Sequence, residues 1–400
     1  MKRFIVIVLD GFGIGAMADV FQVRPQDIGA HTAKHILQHG KDIQFQTLIR
    51  LGLINAIGEK IEPFPFQHQS VYGRSQLAHY GADTFFGHQE IMGTLPRKPK
   101  KERLFNKIKE ITVDLKSQGY KVKVYEKEGL QLLRVNQSIF IGDNLESDPG
   151  QAINVTGSLD IHTFNELKAV GKLVRKHYKI PRIIVFGGEN VSLQNLEQAI
   201  HVRGNYIGVD APKSGVYQKG YQVIHMGYGV DWSKQVPYLL HQKQIPTFLY
   251  GKVADIVHNP FGKVFSGVDT KLIMDELLTD LSHFQSGFYC LNVQETDLAG
   301  HALDPDAYIK HLNTADRGIL SIINLMETED ILVVMADHGN DPTALSSKHS
   351  REEVPLLIYK RGLSGINLGT RATLADVGAT VADYFNTKSS FGTSFLSLLG

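Results

Sequence analysis

One cysteine in 400 residues rules out an intrachain disulfide. That residue, Cys290, lies inside the apolar run Phe288 to Val293 and reads as a buried thiol of a reducing compartment. Long apolar runs are missing too. No stretch approaches the roughly 20 residues that a membrane span requires. The segment Phe4 to Leu9 stops at Asp10 with no small-residue cleavage site behind it, so it reads as a strand and the expected location is the cytoplasm. Neither sign of charge is in excess: 42 Lys and Arg against 41 Asp and Glu leave a net charge of +1. Such a balance offers no electrostatic footprint for nucleic acid or an anionic membrane, and neither partner is expected. The short basic run Arg97 to Lys101 reads as solvated loop. Internal repeats and low-complexity segments are absent as well, and oligomeric state has no signature.

What is present is a pattern of apolar runs alternating with helical periodicity. Apolar content of 42% over this length supports a large core and two or three domains. Lys2 to Leu9 leads into Asp10-Gly-Phe-Gly-Ile-Gly15, whose Gly-x-Gly-x-Gly spacing falls short of the dinucleotide fingerprint. A carboxylate at that strand end serves as a ligand or as a turn or cap residue. Residues 30 to 58 carry a helical pattern that Pro63 and Pro65 break. From Tyr72 to Glu90, small and polar residues without a period predict a loop entering a helix, with Thr84 either an N-cap or a nucleophilic hydroxyl.

Between 97 and 215 the texture changes. Leu104, Ile108, Ile111 and Leu115 step along one helix face toward Gly119, and Thr163 with Glu166 forms a capping box. Strands are expected at 121–125, 138–141 and 182–186, which together predict a self-sufficient inserted α/β domain. Its loops carry Asp148, Arg203, Asp210 and Lys213, polar residues able to face a substrate. Strand texture at 221–226 and 247–250 then resumes the core, made of 1–96 and 216–400. Further strands at 287–293, 331–335 and 354–359 alternate with helices, one opened by Asp304-Pro305. The predicted fold class is α/β, a doubly wound, mostly parallel sheet with its ligands at the carboxyl ends of the strands.

The stretch Met335-Ala-Asp-His-Gly-Asn-Asp-Pro-Thr343 organises the rest. Asp10, Asp297 with His301, Asp337 with His338, and His349 all sit just past apolar runs. Carboxylates and imidazoles in that number match what a pair of divalent transition metals requires. A lone His near a strand is usually structural, but this many converging on one sheet edge point to metal. Two cations that close would lower the pKa of a bridging hydroxyl, and Thr84 is the best hydroxyl on offer.

These residues, with Asp83-Thr84, Gly87-His88, Gly251-Lys-Val-Ala-Asp255, His349-Ser-Arg-Glu and Ala375-Asp-Val-Gly-Ala-Thr380-Val-Ala-Asp383, resemble the alkaline phosphatase superfamily and, within it, the phosphopentomutases. The resemblance implies a metal-binding α/β core interrupted by a cap. It also implies that Asp10, Asp337, His338 and Thr84 surround one metal, that Asp297, His301 and His349 hold the other, and that Thr84 becomes phosphorylated. Implied with it are manganese, with zinc or magnesium as alternatives, a sugar bisphosphate primer, and transfer of phosphate between C5 and C1 of ribose or deoxyribose. A basic residue such as Arg203 or Lys213 would neutralise phosphoryl oxygens, His88 and Lys252 would serve as phosphate contacts or in a structural role, and the cap would close during turnover.

The chain also departs from that family. Asp297-x-x-x-His301 has the spacing of alkaline phosphatases and cofactor-independent phosphoglycerate mutases, one residue shorter than in phosphopentomutases. His201-Val-Arg203-Gly-Asn205 stands where Asn-Arg-x-Asp is expected, and Thr156 stands in place of an acidic residue. Retained chemistry with altered recognition is the expectation, with a metal-dependent phosphatase or phosphodiesterase, or a binding protein with a degenerate site, as the competing readings.

Overall fold

A computed structural model describes residues 2–40, 42–146, 149–344 and 346–400. The chain forms two compact units, Met1–Pro96 with Val230–Gly400, and Arg97–Gly229.

The first unit is built on an eight-stranded sheet. Its strands lie in the spatial order Lys263–Phe265, Thr247–Tyr250, Ser286–Val293, Lys2–Leu9, Ile331–Met335, Val354–Tyr359, Val71–Ser75 and Ile366–Arg371. The first five of these pair in parallel, and Val354–Tyr359 is antiparallel to both of its neighbours. Side chains alternate between the faces of a strand, so unbroken burial of Phe4 to Leu9 and of Ile331 to Met335 means that both faces are covered. That is why these runs are continuously apolar instead of alternating.

Parallel register decides where function can sit. Leu9 lies beside Val293, and Val8 beside Met335, so the chain leaves each of these strands at the same edge of the sheet. Asp10, Asp297 and Asp337 follow at that edge, and Lys252 follows Thr247–Tyr250 there. The helix Pro305–Leu325 starts as predicted: Asp304 accepts a hydrogen bond from the Ala307 N–H at 2.9 Å, with Pro305 in the first position. No helix among the described residues is long and apolar enough to cross a membrane.

At the opposite strand ends, buried Arg3 donates to Asp330 Oδ2 at 2.9 Å and to the Leu281 and Leu325 carbonyls at 2.7 and 2.8 Å.

The second unit carries a six-stranded sheet in the order Lys219–Gly227, Arg182–Glu189, Ala152–Ser158, Ile139–Asp143, Leu130–Val135 and Val122–Lys127, with helices Ile108–Ser117 and Phe164–His177. The capping box is present, with Thr163 N–H donating to Glu166 Oε2 at 2.7 Å and Thr163 Oγ1 accepting from the Glu166 N–H at 3.3 Å.

Several sequence expectations need correction. The strand expected at 221–226 pairs antiparallel with Arg182–Glu189, so it belongs to the second unit, which ends at Gly229 and not at residue 215. Val71–Ser75, read as loop, is a strand of the first sheet, wedged between Val354–Tyr359 and Ile366–Arg371. The single helical pattern over 30–58 resolves into Thr32–His39, Gln46–Arg50 and Leu53–Ile57. Asp148 lies outside the described residues.

Asp330→Asn leaves the Arg3 guanidinium buried without its counter-charge and should destabilise the protein by about 3–5 kcal/mol in equilibrium denaturation. Divalent-metal content of the folded variant should be unchanged, because Arg3 lies at the strand ends away from Asp10. A loss below about 1 kcal/mol would show that water reaches this pair.

Candidate metal centre

The three carboxylates at the sheet edge are all buried: Asp10 and Asp337 are 0% exposed and Asp297 3%. Asp10 continues directly from its strand, Asp297 sits in the first turn of the helix Gln294–Ala302, and Asp337 follows Met335. Gly11 makes the turn after Asp10 in the left-handed region at φ +75°, where an added Cβ would lie 2.9 Å from Asn340 Cβ.

Donor atoms converge in two overlapping groups. Atoms of Asp10, Asp337 and His338 lie within 4.8 Å of one another, as do those of Asp297, His338 and His349. His301 joins the second group: its Nε2 is 3.4 Å from Asp297 Oδ2 and 3.0 Å from His349 Nε2. The six predicted Asp and His ligands therefore meet at one place. His338 belongs to both groups by distance, whereas the family resemblance assigns it to one.

The tautomers indicate what this place accepts. His301 Nδ1 lies 2.6 Å from the Ser347 carbonyl, His349 Nδ1 2.9 Å from the Ala82 carbonyl, and His338 Nδ1 3.0 Å from the Gly339 carbonyl. A carbonyl only accepts, so each Nδ1 carries a hydrogen and each Nε2 is the nitrogen that faces inward, available as a ligand once any second proton has left it. The Nε2 atoms of His301 and His349 face each other at 3.0 Å, and His338 Nε2 faces Asp10 Oδ1 and Asp337 Oδ2, each at 3.3 Å. Asp10 Oδ1 and His338 Nε2 are buried without a hydrogen-bond partner. Without a proton or a metal ion among them these nitrogens and carboxylate oxygens repel one another, and a mixed N,O donor set suits a divalent transition metal.

Resident positive charge already answers part of this demand. Lys252 Nζ lies 2.7 Å from Asp10 Oδ2 and 3.1 Å from Asp297 Oδ2. Burial works against its charge, but Asp10, Asp297 and Asp337 together push its pKa well above the ordinary lysine value. Burial also opposes the charge of His338, yet Asp337, reinforced by Asp10 and Asp297, raises it to about 10. Against the effect of burial, His338, His88 and Lys252 hold Asp337, and Lys252, His349 and His301 hold Asp297, below the usual carboxylate range. Burial and the neighbouring His338 charge lower His349.

Thr84 opens the helix Thr84–Ile91, and Asp83, not Thr84, is the N-cap, accepting from the Phe86 N–H at 3.2 Å. This frees the Thr84 hydroxyl, which donates to Asp337 Oδ2 at 2.7 Å. Gly87 permits that approach, since a Cβ there would meet the Asp337 carbonyl oxygen at 2.9 Å. Asn292 Nδ2 donates to His88 Nε2 at 3.0 Å, so His88 Nδ1 carries hydrogen, donates to the Thr84 carbonyl at 2.9 Å and lies 3.2 Å from Asp337 Oδ2. His88 braces Thr84 and Asp337.

In the second unit, Arg203 donates to the Leu145 carbonyl at 2.9 Å and Lys213 pairs with Asp210 at 2.8 Å, so neither stands uncommitted. Sequence reasoning gave no role to Asn340, whose Nδ2 donates to Asp297 Oδ1 at 2.8 Å, or to Arg351, which donates to the carbonyls of Leu77, His79 and Gly81. Both lie inside stretches quoted for their neighbours, and that proximity was the available signal.

The sequence signature of the metalloenzyme superfamily matches residues 2–389. A curated phosphopentomutase of Clostridium kluyveri is 26% identical over 416 residues, covering 100% of each chain. Among solved structures, phosphoglycerate mutase of Leishmania mexicana aligns at TM-score 0.47 with 13% identity, covering 98% of this chain and 97% of its own. Alkaline phosphatase of the Antarctic bacterium TAB5 aligns at TM-score 0.37 with 12% identity, covering 97% and 98%.

Ligation at His338 Nε2 requires loss of the proton held there below pH 10 or so. Manganese affinity should therefore rise with pH between 7 and 9, up to about tenfold per unit, with close to one proton released per centre. Calorimetry in two buffers of different ionisation enthalpy measures that proton directly. Affinity independent of pH, with no proton released, would remove His338 from the ligand set.

Proposed function

The chain belongs to the metalloenzyme superfamily, that of the alkaline phosphatases, and on that premise we propose that it is a two-metal phosphomutase acting on a sugar phosphate through a phosphothreonine at Thr84. The observation that carries this reading is the Thr84 hydroxyl, 2.7 Å from Asp337 Oδ2 at the point where the six donor residues converge. The full-length relationship to a phosphopentomutase supports a pentose phosphate as substrate, ribose or deoxyribose 1-phosphate interconverting with the 5-phosphate.

Asp10, Asp337 and His338 would hold one divalent ion and Asp297, His301 and His349 the other, with manganese the first choice and zinc or magnesium alternatives. Bound there, the ions supply Lewis acidity that lowers the pKa of a nearby hydroxyl and neutralises charge developing on a transferring phosphoryl group. This chain's own residues do the rest. Asp83 fixes the first turn of the helix by accepting from the Phe86 N–H and, through its carbonyl, from the Gly87 N–H. Asp337 and His88 hold the Thr84 side chain in one orientation, and Lys252 keeps a positive charge between Asp10 and Asp297 within reach of a phosphoryl oxygen.

Turnover consists of two in-line transfers. In the first, the bond between phosphorus and Thr84 Oγ1 breaks, a bond to a sugar hydroxyl oxygen forms, and the proton which that hydroxyl loses ends on Thr84 Oγ1. The resulting bisphosphate turns over and returns its other phosphoryl group to Thr84, regenerating the phosphoenzyme. A sugar bisphosphate would prime an unphosphorylated chain by the second transfer alone. Water attacking the phosphothreonine would make the protein a phosphatase, so the mutase reading requires water to be excluded during transfer.

Thr84→Ala should lower turnover by at least about 10⁴-fold, as loss of a nucleophile does. Bound manganese, measured by elemental analysis, should stay near the parent level, because the imidazoles and carboxylates remain. A variant that keeps its activity would transfer the nucleophile role to another group, and one that loses its metal would make Thr84 chiefly a ligand.

A further inference from the structure

Glu352 has no part in the chemistry described above, yet it occupies the middle of the loops that carry it. It is fully buried, and it accepts four hydrogen bonds, none from a cation. Oε2 receives the Gly15 N–H at 3.0 Å and the Thr32 N–H at 2.9 Å. Oε1 receives the Thr32 hydroxyl at 2.7 Å and the Ser350 hydroxyl at 2.7 Å. The backbone is shaped around it, since a Cβ on Gly13 would come within 2.5 Å of its side chain and one on Gly339 within 2.2 Å of Oε1.

Those contacts join three segments of the metal centre. Gly13 and Gly15 belong to the turn after Asp10, Gly339 follows His338, and Ser350 follows His349. Backbone bonds run the same way: Gly339 and Ser350 exchange a pair at 2.9 and 2.7 Å, and the Glu353 N–H donates to the Gly15 carbonyl at 2.8 Å. A relay reaches the fourth element. The Asn340 N–H donates to Thr32 Oγ1 at 3.1 Å and to the Gly11 carbonyl at 2.7 Å, while Asn340 Nδ2 donates to Asp297 Oδ1 at 2.8 Å and to the Asp297 carbonyl at 3.1 Å.

Hydrogen-bond direction along this relay is determined. Amide N–H groups only donate, so Oε2 carries no proton. Thr32 Oγ1 accepts from Asn340, which leaves its own hydrogen for Oε1. Burying a carboxylate beside no cation is costly, and burial raises the pKa of Glu352 although its four donors oppose that. Holding the core together at this place would be done more cheaply by an apolar side chain; a carboxylate is needed only to orient donors.

We propose that Glu352, acting through Thr32 and Asn340, is a positioning residue of the metal centre: it fixes the loops bearing Asp10, Asp297, His338 and His349 in the arrangement that divalent ions require, and so sets metal affinity. This inference rests on the two-metal reading. Removing an outer partner of a ligand typically weakens metal binding 10- to 100-fold.

The test is manganese affinity, followed by the electron paramagnetic resonance signal of free Mn²⁺, on the parent chain and on Glu352→Gln, Thr32→Val and Thr32→Ser. Thr32→Val keeps the side-chain shape and deletes the hydroxyl, whereas Thr32→Ser retains it. Expected are dissociation constants about 10- to 100-fold weaker for Glu352→Gln and Thr32→Val, and within about twofold of parent for Thr32→Ser. The double variant Glu352→Gln/Thr32→Val should be little worse than the worse single, because both interrupt one relay. Unchanged manganese affinity in a folded Thr32→Val chain would overturn the proposal, leaving these residues a role in stability alone. Should Glu352→Gln fail to fold, the Thr32 pair decides by itself. A parent chain that binds no manganese would defeat the two-metal reading and this inference with it, a failure distinct from one confined to the variants.

Discussion

Three carboxylates buried at the carboxyl ends of adjacent parallel strands demand positive charge, and much of this protein is arranged to meet or contain that demand. Asp10, Asp297 and Asp337 cannot all stay ionised in a buried site without cations among them. Lys252 bridges two of them, and His338 Nε2 lies 3.3 Å from both Asp10 and Asp337, which raise its pKa. Neither saturates the site, because the Nε2 atoms of His301 and His349 still face each other. The remaining deficit defines a place for divalent ions.

The same field explains how a hydroxyl can become reactive here. Thr84 is an ordinary side chain by residue type. Asp83 takes over the capping duty, Gly87 lets the helix close on Asp337, and His88 braces both. A hydroxyl bound to a carboxylate is inert by itself; beside a strong cation it can ionise and accept a phosphoryl group. Positioning and charge are therefore supplied by different residues.

Much of this was legible in the sequence because burial in a parallel sheet writes itself as continuous apolar runs. Where Phe4 to Leu9, Phe288 to Val293 and Ile331 to Met335 stop, the polar residue that follows must sit at a strand end, so Asp10, Asp297 and Asp337 could be named together. Sheet membership was not legible in the same way. The strand Lys219–Gly227 looks locally like a core strand, and only its pairing with Arg182–Glu189 assigns it to the second unit. Val71–Ser75 contains Gly73 and Arg74, which hide its alternation; Gly73 is needed where a Cβ would strike the Gly369 carbonyl oxygen at 2.7 Å. Asn340 and Glu352 were visible as letters in recognisable stretches, but their partners are far away in sequence, and a hydrogen bond across that distance leaves no local pattern.

The central claim is a covalent one, that Thr84 receives and passes on a phosphoryl group. Peptide mapping by mass spectrometry of manganese-loaded protein, after incubation with pentose and hexose bisphosphates and with released phosphate assayed in parallel, tests it most directly. The account predicts a lasting phosphate on the peptide containing Thr84 from one bisphosphate class, with little free phosphate. Fast release of phosphate with no adduct at Thr84, or an adduct at another residue, would contradict it.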